Sequence, residues 1–160
     1  MIRLVETDWF RLVEDAALTA PVRPVGLSYR AYPYFMEEKS FRRLSHKVAA
    51  YHPQAGMEYC DFLFAPTFMV GDRFQLLFKW LASEMEFCQV TLMPVPESAE
   101  AKPLHYWVPF LPIAAAGQRI RCQRQRDKVT WLFSLAAAES ILRRAPLGIR
   151  FEPVEVEGWA

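Results

Sequence analysis

Cysteine is scarce: the chain holds three, Cys60, Cys88 and Cys122, and no CxxC pair. An odd number at wide spacing excludes a disulfide framework and leaves reduced thiols, the state of a cytosolic protein. Glycine is scarce too, at six residues. No GxGxxG and no GxxxxGK-S/T occurs, so no phosphate-cradling loop is encoded. GxSxG and HExxH are missing as well. Long apolar runs are lacking. The most apolar stretch, "YWVPFLPIAAAG", is too short to span a bilayer and is interrupted by Pro109 and Pro112. The opening "MIRLVETDWFRLVEDAAL" carries Glu6, Asp8, Glu14 and Asp15, which predicts no secretory signal and a cytoplasmic location. A one-sided charge is absent: Lys and Arg total 19 against 18 for Asp and Glu. No global field is therefore available to gather nucleic acid or an anionic membrane.

What is present is the material of a core. Of 160 residues, 52% are hydrophobic and 14% aromatic, with 23% charged. That balance is globular rather than disordered, and the length favours one domain. A chain of this size buries roughly 68–70% of its unfolded surface and needs no staples.

Periodicity predicts α+β architecture with a mixed sheet. Residues 8–18 place Trp9, Leu12, Val13, Ala16 and Ala17 on one helical face, with Asp8 as N-cap and Pro21 and Pro24 beyond the end. The aromatic stretch 25–35 leans towards a strand. Residues 37–51 align Phe41, Leu44, Val48 and Ala49 as a second amphipathic helix, and 52–56 connect it onwards. The first 60 residues are thus expected to be helical or irregular.

The rest of the chain writes one pattern twice. Thr67-Phe68-Met69-Val70 aligns with Thr130-Trp131-Leu132-Phe133, each a short apolar run of β character. A helix starter follows, Gly71-Asp72 in one and Ser134 in the other. Helical spacing then places Phe74, Leu77, Phe78 and Leu81 together, and likewise Leu135, Ala138, Ile141, Leu142 and Ala145. Pro146 and Gly148 stop the second helix, and the first ends near Ser83. Each segment closes on a strand with Pro-Val, at 94–95 and 153–154, where proline suits a strand end or an edge. The expectation is a duplicated strand–helix–strand unit at 67–95 and 130–156, of βαβ size. Between the copies, 96–103 read as a polar loop, 104–111 as an edge strand because of Pro109, and 118–124 as a weak strand.

Residues that could carry chemistry are few. His46, His52 and Cys60 are spaced H-x5-H-x7-C, which fits no zinc pattern, so no metal is expected. The cysteines lie in "EYCDF" and "EFCQV" and read as small buried residues. Glu37-Glu38 suits a helix start better than acid–base catalysis. No catalytic residue and no cofactor are assigned. The segment "RIRCQRQRDK", 119–128, is the one local charge excess. It reads as a basic edge strand that discourages edge pairing, more than as a phosphate-binding patch, because it lacks interleaved aromatics.

The segments "DFLFAPTFMVGDRFQLLFKWLASEMEFCQVTLMPV" and "WLFSLAAAESILRRAPLGIRFEPVEV", with "HYWVPFL" between them, resemble a bacterial immunity-protein family of polymorphic toxin systems. The closing pattern, apolar–Ser–helix–Gly-Ile-x-Phe-x-Pro-Val, spans Phe133-Ser134 to Gly148 through Val154. The likeness covers residues 61–156. Gly71-Asp72 departs from the Ser cap usual there, and the basic segment 119–128 has no counterpart. The resemblance implies a non-enzymatic protein that binds and occludes a cognate toxin in the cytoplasm, such as a nuclease. Acidic side chains would face the cationic groove of such a toxin. Glu97 and Glu100 after the first unit, and Glu155 and Glu157 after the second, are the candidates. The rival readings are an unrecognised hydrolase using His105 or a cysteine, a nucleic-acid or adaptor module using 119–128, and a chaperone-like toxin loader. Membrane binding is not expected and nucleic acid is disfavoured.

Overall fold

Two β-sheets share one interior in the computed structural model, which describes residues 9–27, 38–44, 46–112, 119–125 and 128–154. The chain runs through β1 (Trp9–Glu14), α1 (Glu38–Arg42), β2 (Lys47–Tyr51), β3 (Phe62–Leu63), β4 (Met69–Gly71) and α2 (Asp72–Leu81). It continues through β5 (Glu86–Pro94), β6 (Leu104–Phe110), β7 (Ile120–Gln125), β8 (Lys128–Ser134), α3 (Leu135–Leu142) and β9 (Ile149–Val154). One sheet has the order β7-β8-β1-β9 and the other β2-β5-β6-β4-β3. The architecture is α+β in a single domain, as the sequence predicts.

Of the two helices expected in the N-terminal part, the first is replaced by a strand and the second is cut short. Residues 9–14 are a strand set between β8 and β9, antiparallel to both. Trp9 pairs with Ser134 and with Val154 across the two ladders. Aromatic and β-branched side chains suit that pleated site, and the partners come from the far end of the chain, where local periodicity carries no information. Arg11 lies opposite Glu152 and forms an ion pair with it at 2.5 Å, a favourable cross-strand pair in this register. The proposed helix over 37–51 shrinks to the five residues of α1. The strand β2 follows, parallel to β5 along its whole length. Strand alternation turns Ala49 and Tyr51 inward and leaves Val48 outside. The expected cap at Asp8 and most of the stretch 25–35 lie outside the described residues; Val25 itself bridges Ala50.

The segments 67–95 and 130–156 both follow strand–helix–strand order, as β4-α2-β5 and β8-α3-β9. In each, the two strands are parallel with one antiparallel strand between them. That strand is β6, from later in the chain, in the first, and β1, from earlier, in the second. The helix starts differ as their sequences do. Ser134 caps α3 by accepting the Ala137 N–H at 3.2 Å, whereas Gly71 offers α2 no side-chain cap. Phe74, Leu77, Phe78 and Leu81 of α2 are buried, and so are Ala137, Ala138 and Ile141 of α3. Leu135 and Leu142 remain exposed despite their apolar spacing.

The edge assignment of 104–111 is corrected: β6 is the central strand of its sheet. Its ladder with β4 covers only Tyr106 and Trp107, so Pro109 lies past the end of that pairing and forfeits no bond there. By contrast β7 and β9 are edge strands, which accommodates the basic segment and Pro153.

Aromatic rings join the two sheets. Phe62 on β3 lies 4.9 Å from Phe74 and 5.8 Å from Phe78, Phe78 lies 5.6 Å from Phe133 on β8, and Phe133 5.6 Å from Phe151 on β9. A polar joint supports this apolar bridge. The Asp61 carboxylate accepts two bonds from Arg73 at the start of α2 and one from the Leu147 N–H after α3. Arg73 also donates to the Arg144 and Ala145 carbonyls.

Candidate interaction face

The parallel ladder of β2 on β5 and the antiparallel ladder of β6 on β5 fix which side chains share a face. Cys88, Val90 and Leu92 turn into the core. The alternate residues turn the other way, where Val48, Thr91 and His105 form one row and Ala50 and Met93 share the next. At its ends this face is open: Val48 is 64% exposed and Met93 41%. Thr91 is itself buried, and its hydroxyl is bracketed by His46 Nε2 at 2.8 Å and His105 Nδ1 at 3.3 Å. A hydroxyl has one proton and two lone pairs, so it donates to at most one of the two imidazoles and accepts from at least one. Two of the three histidines therefore meet at one atom.

The row continues past the end of β5. Val95 donates its N–H to the Tyr51 carbonyl and its own carbonyl meets His52 Nδ1 at 2.8 Å. The Tyr51 hydroxyl donates to the Lys102 carbonyl at 2.6 Å, so both ends of the loop 96–103 are tied to β2. Burial pushes the Tyr51 phenol above its ordinary pKa, with Tyr59 adding to the shift, which keeps the hydroxyl a donor. Within the loop Ser98 Oγ accepts the Ala101 N–H. The loop walls an open groove of about 360 Å³ lined by Met93, Val95, Glu97, Ser98, Ala101 and Pro103. Among the lining residues Glu97 alone carries a charge.

Of the acidic candidates, Glu97 lines this groove and Glu100 is exposed on the same loop. Glu155 and Glu157 lie outside the described residues. The H-x5-H-x7-C residues are dispersed: His46 is on Thr91, His52 on Val95, and Cys60 is buried with its thiol on the Glu58 carbonyl. No metal-binding group of three or more ligands occurs among the described residues. His105, the candidate of the hydrolase reading, engages a threonine rather than a cysteine. His46, Val48, Thr91 and Met93 were not singled out by the sequence for this face. The signal was the alternation in Gln89-Val90-Thr91-Leu92-Met93, whose odd positions are the outward ones, masked for His46 and Val48 by the helix-like spacing of 37–51.

The basic segment takes a different setting. Arg119 lies over the Trp80 ring at 5.6 Å and Arg121 over Trp9 at 4.4 Å, so aromatics absent from the segment itself reach it from α2 and β1. No helix among the described residues is long and apolar enough to cross a membrane. The chain matches no protein-family model and no curated protein sequence.

Proposed function

We propose that this chain is an immunity protein that binds a cognate bacterial toxin in the cytoplasm and occludes its active site. The observation that carries the reading is the outward face on which Val48, His105 and Met93 are exposed around a buried Thr91, continuous with a groove whose one charge is Glu97. Exposed apolar side chains beside a rim of acids fit the centre and edge of a protein interface. The acids suit a toxin whose substrate is anionic, such as a nuclease: Glu97 and Glu100 would take the place of phosphate and speed encounter. A stable pair would bury on the order of 1,600 Å² in total. Such an area extends beyond the groove over β2, β5 and β6. The resemblance of 61–156 to immunity proteins supports this reading, as does the parallel pair of strands flanking an antiparallel one in both 67–95 and 130–156. On the same reading those two segments are copies of one unit.

Co-expression with the toxin encoded beside this chain tests the proposal. Restored growth and a soluble one-to-one complex are expected. Continued killing by the toxin, with the chain abundant and folded, overturns it. Glu97→Lys and Glu100→Lys together are expected to slow association about 10-fold at low salt and much less at high salt.

A further inference from the structure

The solvent side of α2 is not that of an ordinary surface helix. Leu76 and Trp80, one turn apart, are 74% and 71% exposed. The stripe extends onto the other sheet: the Arg119 guanidinium lies over Trp80, the Arg119 carbonyl accepts the Ser134 N–H, and the next residue, Leu135, is exposed. Two large apolar side chains left open on one helix need a reason, since contiguous exposed patches mark interaction surfaces.

The charges along the stripe indicate what covers it. Asp72 stands at the N-terminal end of α2, and Lys79 with Arg119 at the C-terminal end. Leu76 lies midway between them. An arrangement with acid at one end, base at the other and an apolar centre is complementary to itself when inverted. Each charged group also has capacity to spare. Asp72 Oδ1 accepts from Trp107 Nε1, which leaves its second oxygen, and Lys79 gives one bond to the Met85 carbonyl out of three donors. A net charge of +1 puts no global repulsion between two copies. Nucleic acid fits worse, because Asp72 would repel phosphate and neither Leu76 nor Leu135 offers a ring to stack on.

We infer that α2 is a two-fold interface with a second copy of this chain. The helices run antiparallel, Leu76 meets its own counterpart at the axis, and each Asp72 faces Lys79 and Arg119 of the second copy. Trp80 and Leu135 close over the flanks. A ten-residue helix is about 15 Å long, so the contact is small. Small interfaces hold weakly, and a dissociation constant on the order of 10–100 µM follows. The inference does not depend on the toxin-binding reading, which concerns the other face of the β2-β5-β6 sheet and its groove.

Sedimentation equilibrium over a concentration series bracketing that range is the test. The mass is expected to rise from 18.6 kDa towards twice that value. Leu76→Glu, at a position outside the core, is expected to hold the chain monomeric. Asp72→Lys and Lys79→Glu are each expected to weaken association at least 10-fold. An equimolar mixture of those two variants should associate again, because the mixed pair restores an opposite charge at both contacts. Unfolding curves like that of the parent establish that each variant is folded. A monomer at every concentration overturns the inference. So does a dimer indifferent to Leu76→Glu, a mixture no better than its components, or association that appears only when a single-stranded oligonucleotide is added.

Discussion

Removing the Asp61 carboxylate should cost more than any other single polar change in the described residues. Its oxygens accept the Leu147 N–H at 2.8 Å and Arg73 Nη2 and Nε at 3.0 and 3.2 Å. These bonds connect the start of α2 to the segment after α3, and hence one sheet's helix to the other's. A hydrogen bond to a charged group contributes about 1.5–3 kcal/mol, and an exposed ion pair about 0.2–1 kcal/mol. Arg73 is half exposed, so its share belongs at the low end, and water replaces part of what Leu147 loses. Asp61→Ala is therefore expected to destabilise by about 2–3 kcal/mol. Asp61→Asn keeps an acceptor for Leu147 and loses the charge, for about 1 kcal/mol. Urea unfolding followed by tryptophan fluorescence reads both. At a slope of about 2–3 kcal/mol per molar, Asp61→Ala should lower the midpoint by roughly 1 M with the slope unchanged. A loss under about 0.5 kcal/mol for Asp61→Ala, or equal losses for Ala and Asn, would refute the view that this carboxylate joins the two halves.

Gly148 has φ +100° and an added Cβ would lie 2.9 Å from Cys60 Sγ, so Gly148→Ala should destabilise by about 2–4 kcal/mol in the same urea assay. The Glu58 carboxyl is held below its ordinary pKa of 4.5, chiefly by the Ala20 and Thr19 backbone N–H groups, and Glu152 likewise by its bond to Arg11. Groups depressed in the folded state bind fewer protons there than when unfolded. Their stabilisation is full above pH 4.5 and is lost as pH falls through the folded values; Glu58→Gln should flatten this acid limb of the urea midpoint. Burial raises the Cys60 thiol pKa, and Cys88 is buried as well. A thiol reagent should therefore modify Cys122 first in the native protein and reach all three cysteines only in denaturant.

The legible parts of the fold are those that local pattern controls. The apolar runs before α2 and α3 and the Ser134 cap each act within a few residues of themselves; the stop expected at Pro146 and Gly148 comes early, since α3 ends at Leu142 and Ala145, expected on its apolar face, lies beyond it at φ 47°. What stayed hidden is what distant pairing decides. Trp9–Glu14 has apolar side chains that fit a helix stripe as well as a strand, and only β8 and β9 choose between them. Val48 and Ala49 share a helical face on paper, yet the β5 ladder puts them on opposite sides of a sheet. Pro109 marks an edge by its missing donor, and β6 escapes the rule because β4 is shorter than its partner. At the candidate face Glu97 was legible as a loop acid. The Thr91 hydroxyl and its two histidines were not, because Thr91 and His105 come from separate strands and His46 from the residue before a third.

The toxin-binding proposal for the outward row of β2, β5 and β6 stands or falls on the affinity of the proposed toxin partner for a Met93→Lys variant. Met93 is partly exposed, so the substitution leaves the core in place while burying a charge in the interface. A loss of about 30-fold or more, or ~2 kcal/mol, is expected, with the unfolding midpoint unchanged. Affinity equal to that of the parent chain would rule out this face as a toxin-binding surface.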